Sequence, residues 1–436
     1  MASPFEGLRR LAAAGGALQR APGYGPLGPA VDETTGLPLL HLPDGFRYLS
    51  FGWTGDPMAD GVRTPGAHDG MAAFEGADGL VELIRNHEIA GAATPFDKSL
   101  AYDPGAGGGT TTLSFDPKNG QLIRARPSIS GTVRNCAGGP TPWGAWLTCE
   151  ETILGPDPDK GLEKPHGYIF EVPLHGRASL QPLKAMGRFV HEAVAVDPET
   201  GIVYETEDSR RAGLYRFVPR TRERLAEGGM LQMLAVRGRP KIDLQDGQPA
   251  GAQFPIYWVD IDDPDRAHED ASRRDNMGVY QQGLDRGAAI FSRLEGAWHG
   301  EGRIYFTSTD GGQARMGQVW ELDIKNDLLR LVYESPGEGT LNMPDNITVS
   351  PRGGLVLCED GTANPCIHAL SRDGRIARLV RNNVVLDGER NGIKGDFRAR
   401  EFAGACFSPD GEWLFVNVQS PGITFAITGP WGSGVL

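Results

Sequence analysis

The sequence predicts an all-β fold, a six-bladed β-propeller with an irregular N-terminal segment and loop insertions. Three observations lead there. One phrase recurs six times, as HDGMAAF from His68, NCAGGPTPW from Asn135, HEAVAVDP from His191, LEGAWHG from Leu294, PDNITVSP from Pro344 and EFAGACFSP from Glu401. Each copy runs through a turn into a short apolar strand: GLVELIRNHE, GAWLTCEE, GIVYETED, GRIYFTSTD, GGLVLCED and GEWLFVNVQ. Such units cannot bury both faces alone and stack as the blades of a propeller. The composition agrees, because 61 Gly and 32 Pro punctuate short β-branched and aromatic runs. Helical periodicity is confined to LRRLAAAGGALQR near the start.

Taken in order, residues 1–40 are Gly/Pro-rich and are expected to wrap the surface, and residues 41–436 are expected to form a single propeller domain. FDPKNG, VDPETG, SPRGG and SPDG supply turns, with Asp or Ser ahead of Pro and Gly closing the reversal. GYIFEVP, GLYRFVP and GQVWELD read as the next strands of their units. The widest interval between copies, about 220–289, contains RTRERLAEGGMLQMLAV and the acidic DIDDPDRAHEDASRRDN, and reads as outer strands plus an insertion roofing one face.

Bulk properties remove several function classes. The net charge of −13 argues against nucleic acid as a partner, since phosphate backbones are met by basic stripes. No run is long enough for a membrane-spanning helix. Five cysteines without close pairing do not suggest a disulfide framework. Arg9-Arg10 superficially resembles a twin-arginine signal, but the apolar stretch after it is short and broken by glycine, so the start is read as mature protein. GAGGGTTTLSF lacks the Gly-Lys-Ser/Thr ending of a phosphate-binding loop, HEAVA has Ala195 where a zinc-protease helix needs its second His, and no G-x-S-x-G elbow occurs.

Two sets of residues carry chemistry. The opening position of each copy is Asp69, Cys136, Glu192, Glu295, Asp345 or Glu401, and a propeller gathers these around its axis. A second set closes the following strand: Glu88, Glu150 or Glu151, Glu207 or Asp208, Asp310, and Glu359 or Asp360. Side chains alternate across a strand, so one member of each pair faces the axis. Matching TED, CED and TCEE selects Glu150, Glu207 and Glu359, and a slip of one residue selects their neighbours. Converging carboxylates repel unless cations or protons neutralise them, and hard oxygen donors in this number suit Ca²⁺. Cys136 breaks the pattern with a soft thiolate, suited to iron, copper or zinc, although a lone Cys is otherwise a small buried hydrophobe. His87, His191 and His299 read equally as ligands or as packing residues. Arg293, two residues before Glu295, would reach the same face and grip phosphate oxygens in bidentate fashion, or pair with a surface acid.

NCAGGPTPWGAWLTCEE, with NHE, HEAVAVDP, TED, EGAWHG, DNITVSP, CEDG and PGITFAITGPW, resembles the PhoX family of alkaline phosphatases from about His41 onward. The resemblance implies a metal-dependent phosphatase acting on small phosphomonoesters, exported to the periplasm or secreted by the twin-arginine route, with a monomer as the default. It implies an iron–calcium cluster in the channel, of about two ferric ions and about two or three calcium ions. Cys136, Glu192 and Glu295 would then serve iron, and Glu88, Glu150, Glu207, Asp345, Glu359 and Glu401 calcium, with Arg293 orienting phosphate. The chain is shorter than many members, which bears on substrate choice. Two rival readings are a calcium-dependent lactonase or sugar hydrolase, which needs no thiolate, and a non-catalytic binding propeller, which needs an exposed aromatic or basic face.

Overall fold

The computed structural model describes residues 23–59, 61–157, 159, 161–266, 277–361, 364–372, 374–434 and 436. The helical run expected near the start lies outside them. The arrangement is all-β and propeller-like. Its inner strands are the six repeated phrases: His68–Glu75, Asn135–Pro140, His191–Val196, Leu294–Gly300, Pro344–Val349 and Phe402–Phe407. Each lies at a sheet edge and packs on the next, and the last packs on the first, which closes a circuit. The second phrase of each repeat forms the antiparallel partner: Val81–His87, Ala145–Glu150, Val203–Glu207, Arg303–Ser308, Leu355–Glu359 and Leu414–Val418.

The sheets are less uniform than six equal blades. The first and last repeats have four strands and the second has three. The third and fourth share one nine-stranded sheet, because Gln253–Asp260 pairs with Gly229–Val236 on one side and Leu328–Glu334 on the other. That bridging strand lies in the interval read as an insertion, and the same interval holds the α-helix Met277–Asp285. The helix buries Val279, Tyr280 and Leu284 in the core of the third repeat.

Residues near the N-terminus are built into the sheets. Gly28–Ala30 and Leu40–Leu42 extend the fifth repeat beyond Ile376–Asn382, and the Tyr48 hydroxyl accepts from the amides of Leu39 (2.8 Å) and Leu40 (3.1 Å). Arg47–Phe51 pairs with Ile423–Thr428, so the last sheet is completed by a strand from the other end of the chain. This ties the circuit shut and leaves no open seam at the two ends. Phe115 packs against Phe51, Trp413 and Phe415 across that closure, with ring centroids 5.2–5.5 Å apart. Trp298 lies three residues beyond Glu295, about 10 Å along the inner strand. It packs, partly buried, against three of the inter-sheet cores, on the side away from the acidic end.

Candidate functional site

All six inner strands carry a β-bulge at corresponding places: between His68 and Met71, Asn135 and Gly138, His191 and Val194, Leu294 and Ala297, Pro344 and Ile347, and Ala403 and Cys406. A bulge puts two residues opposite one and re-aims a side chain. In five repeats the first bulged residue is a ligand-type group, namely Asp69, Cys136, Glu192, Glu295 or Asp345. The second is small in four of these, and at Gly70 a Cβ would come within 2.6 Å of the Ala137 backbone in the neighbouring strand. The freed carbonyls are capped across repeats: Thr206 Oγ1 donates to Glu295 O and Thr307 Oγ1 to Asp345 O, each at 2.6 Å. Asn86 Nδ2 donates likewise to Cys136 O at 3.0 Å.

The sixth copy departs from the sequence alignment. Register puts Gly404, not Glu401, at the bulge, and its φ of 66° and the 2.4 Å approach of Asp69 O to a Cβ there exclude a side chain. Glu401 comes from just ahead of the strand and still lies with Asp345 and Asp360, their ligand atoms within 4.8 Å of one another.

At the strand ends the structure takes the one-residue slip. Glu151, Asp208 and Asp360 face the bulges. Glu150, Glu207 and Glu359 turn into their own sheets, where each carboxylate accepts from groups of its repeat. Glu150 accepts from the amides of Val133 (2.9 Å) and Gly167 (2.9 Å) and binds His166 Nδ1 at 2.6 Å. Glu207 accepts from Gly213 N and the Tyr215 hydroxyl, both at 2.9 Å. Glu359 accepts from Asn342 N and Cys366 N and meets His368 Nε2, all at 2.8 Å. The cause is pairing. Glu150, Glu207 and Glu359 lie directly opposite Asn135, His191 and Pro344, the last regular pairs before the bulge, and the next residue points to the other face.

The ligand-type atoms form a chain of overlapping groups: Asp69, Glu88 and Cys136; Cys136, Glu151 and Glu192; Glu192, Glu295 and Asp345; then Asp345, Asp360 and Glu401. Of the residues selected from sequence, Cys136, Glu192, Glu295, Glu88, Asp345 and Glu401 are thus brought together; Glu150, Glu207 and Glu359 are not. Asp69 and Glu151 join the centre, and Asp208 reaches it through Arg293. Asp310 lies in none of these groups.

Burial dominates the electrostatics. It raises Glu192, Glu295, Asp69, Glu151 and Glu401 well above the ordinary carboxylate range, with neighbouring acids adding to the effect. Asp345 is pushed up to about 8, by burial and then by Asp360. Burial, with Asp69 and Glu192 beside it, holds the Cys136 thiol well above its usual value. That thiol is directed at Asp69 Oδ1 (3.7 Å), and neither oxygen of fully buried Glu192 has a hydrogen-bond partner. A buried carboxylate left so is costly unless a cation is present.

Two guanidiniums lie over this anionic centre. Arg293 donates from Nε to Asp208 (3.1 Å) and from Nη2 to Glu295 (2.6 Å). Arg134, which the sequence reading passed over, bridges Glu88 (3.2 Å) and Glu151 (2.9 Å). Its spacing from Cys136 repeats that of Arg293 from Glu295, and this was the signal available. The histidines sit otherwise. His87 is held by Gly66 O and Thr111 Oγ1, both at 2.9 Å. His191 bonds Gly187 O at 3.1 Å and stacks on Phe189 at 3.7 Å. Burial keeps both neutral, His191 at about 3. His299 lines a cavity of about 440 Å³ with Asp197 and Arg303, beyond Trp298 along its strand.

Fold and site define a propeller-like protein with a carboxylate-rich, thiol-bearing centre capped by arginine. The family model for alkaline phosphatase PhoX matches residues 22–128 and 117–422. The chain belongs to that family and is a phosphomonoester-hydrolysing phosphatase. Among solved structures it is similar to Pseudomonas fluorescens PhoX in complex with vanadate, a transition state analogue, with 18% identity, TM-score 0.68, and 94% of this chain and 98% of that one covered. It also aligns with a gluconolactonase from Xanthomonas campestris, at 14% identity, TM-score 0.44, and 93% and 99% coverage. Virginiamycin B lyase from Staphylococcus aureus aligns at 10% identity, TM-score 0.41, and 88% and 99% coverage. No curated protein matched.

Proposed function

We propose that this phosphatase works through an iron–calcium centre held at the bulges of six blades, the nine-stranded sheet counting as two joined along Gln253–Asp260. The observation that carries the reading is the convergence of Asp69, Cys136, Glu192, Glu295 and Asp345 at equivalent bulges, with the buried Glu192 carboxyl beside no cationic side chain among the described residues and only the Cys136 thiol near it as a donor. Soft thiolate beside buried carboxylates suits iron, so Cys136, Glu192, Glu295 and Glu151 are assigned to it. The all-oxygen groups, Asp345 with Asp360 and Glu401, and Asp69 with Glu88, suit calcium.

When bound, such ions offset charge on the phosphoryl oxygens and activate the attacking oxygen. The chain's own part is positional. Arg293 is held at a φ of 41°, directly before its strand, and two carboxylates fix its guanidinium over the centre, where its fork can hold equatorial phosphoryl oxygens. A small phosphomonoester would enter, and phosphate leave, by the acidic mouth that the arginines border. The family is typically exported, which supports a periplasmic or secreted protein. Among the described residues no helix is long and apolar enough to cross a membrane. A closed propeller needs no second copy, and we assign a monomer.

The test is p-nitrophenyl phosphate hydrolysis by wild type and Cys136→Ser. The reading expects wild-type turnover that chelator abolishes and a Cys136→Ser protein that is inactive and low in iron. A Cys136→Ser variant with full activity would remove the iron assignment.

A further inference from the structure

We propose that Arg134 is a second phosphate-holding arginine, paired with Arg293 across the mouth of the centre; this rests on the phosphatase reading above. Both residues directly precede an inner strand, two positions before a bulged ligand, and share the left-handed backbone of the repeat, with φ of 50° and 41° beside 49° at Ala67 and 55° at Met343. Bulky residues adopt that conformation at a cost. The other repeats place Ala67, Val190, Met343 and, by register, Phe402 there, so these two alone carry a cation.

Arg134 is clamped by two acids and stands outward of both, and Arg293 stands outward of Asp208 and Glu295 with Asp360 a further 4.0 Å away on its exposed side. The side chain of Arg134 is 40% exposed, against 11% for Glu88 and 9% for Glu151. That of Arg293 is 26% exposed, against 15% for Asp208 and 3% for Glu295. Arg134 therefore spends Nε and Nη2 on the carboxylates, and its Nη1 has no protein partner among the described residues. A guanidinium has five donors in a fixed fork, and two clamped members leave the outer edge to face solvent or a ligand. The two arginines flank the repeat that supplies Glu192 and Asp208. A phosphoryl group seated over that repeat would meet Arg293 on one side and Arg134 on the other. Two cations left at the mouth of an otherwise anionic centre suit an anion there better than a purely internal ion pair.

The experiment compares wild type, Arg134→Lys and Arg134→Met. It measures p-nitrophenyl phosphate kinetics, calorimetric binding of inorganic phosphate, and metal content per chain. The expected result for Arg134→Met is a rise of about tenfold in both KM and phosphate Kd, with metal content and melting temperature unchanged. Arg134→Lys should fall between, since it keeps the charge and loses the fork. Wild-type phosphate affinity in Arg134→Met overturns the proposal. So does a loss of metal in step with activity, which would make Arg134 a brace for Glu88 and Glu151 only. A wild-type protein that fails to hydrolyse the ester would overturn the phosphatase reading itself, a result the variants cannot imitate.

Discussion

Replacing Glu192 by Leu should change stability in opposite directions with and without metal. Glu192 is 1% exposed, both its oxygens lack partners, and Asp345, Asp208 and Asp69 crowd it. In metal-free protein the side chain is a buried polar group with only the Cys136 thiol beside it to offset desolvation, a burden of about 1–3 kcal/mol. Leucine of similar size removes that burden. For a chain of 436 residues, an unfolding entropy of about 2.1 cal/mol/K per residue converts each kcal/mol into roughly 1 °C. Chelated Glu192→Leu should thus melt about 1–3 °C above chelated wild type. With iron and calcium supplied the order should invert, because wild type gains the binding energy and the variant loses a shared ligand of two groups. Differential scanning calorimetry in chelator and in metal buffer reads both. A variant less stable than wild type in both buffers would refute the idea that Glu192 awaits a cation.

The neighbouring acids of TCEE should separate cleanly. Glu150→Gln turns one of its two acceptor oxygens into a donor facing the N–H groups of Val133 and His166 or of Gly167 and Tyr168, and should cost about 2–3 kcal/mol in urea unfolding while metal content survives. Glu151→Gln should leave folding nearly intact and lower metal content, as read by mass spectrometry. Metal-free protein should also lose stability as pH rises. Unfolded carboxylates release their protons near pH 4–5, whereas native Asp345 holds its proton up to about 8, and Asp69, Glu192 and Glu295 are raised in the same direction. The native state then binds more protons than the unfolded one, so stability is full below about pH 4 and falls through pH 8. Urea midpoints of chelated protein at pH 6 and pH 9 should show the drop, and bound metal should erase it.

Much of this was legible in the sequence because a propeller repeats its phrases. The six inner strands begin at or next to the residues where the copies begin, and the turns and partner strands follow in order. Cys136, Glu192, Glu295 and Asp345, which the structure brings together, were singled out because each opens a copy. The bulge was not legible, since nothing in HEAVA or LEGAW marks two residues set opposite one. Without it the strand-end acids could not be phased, so Glu150, Glu207 and Glu359 were favoured over Glu151, Asp208 and Asp360. Glu401 was aligned with the others for lack of the register that places Gly404 at the bulge. Helix Met277–Asp285 was missed because nine residues beside an acidic run show too little periodicity. The strand Gln253–Asp260 joins two sheets through long-range pairing, which no local pattern reveals.

The most direct test is iron and calcium counted per chain in purified, active protein, with turnover followed as chelator strips them. The account predicts both elements bound, in multiple ions per chain, and hydrolysis lost as they leave. Undiminished phosphate release from protein carrying neither element would contradict it.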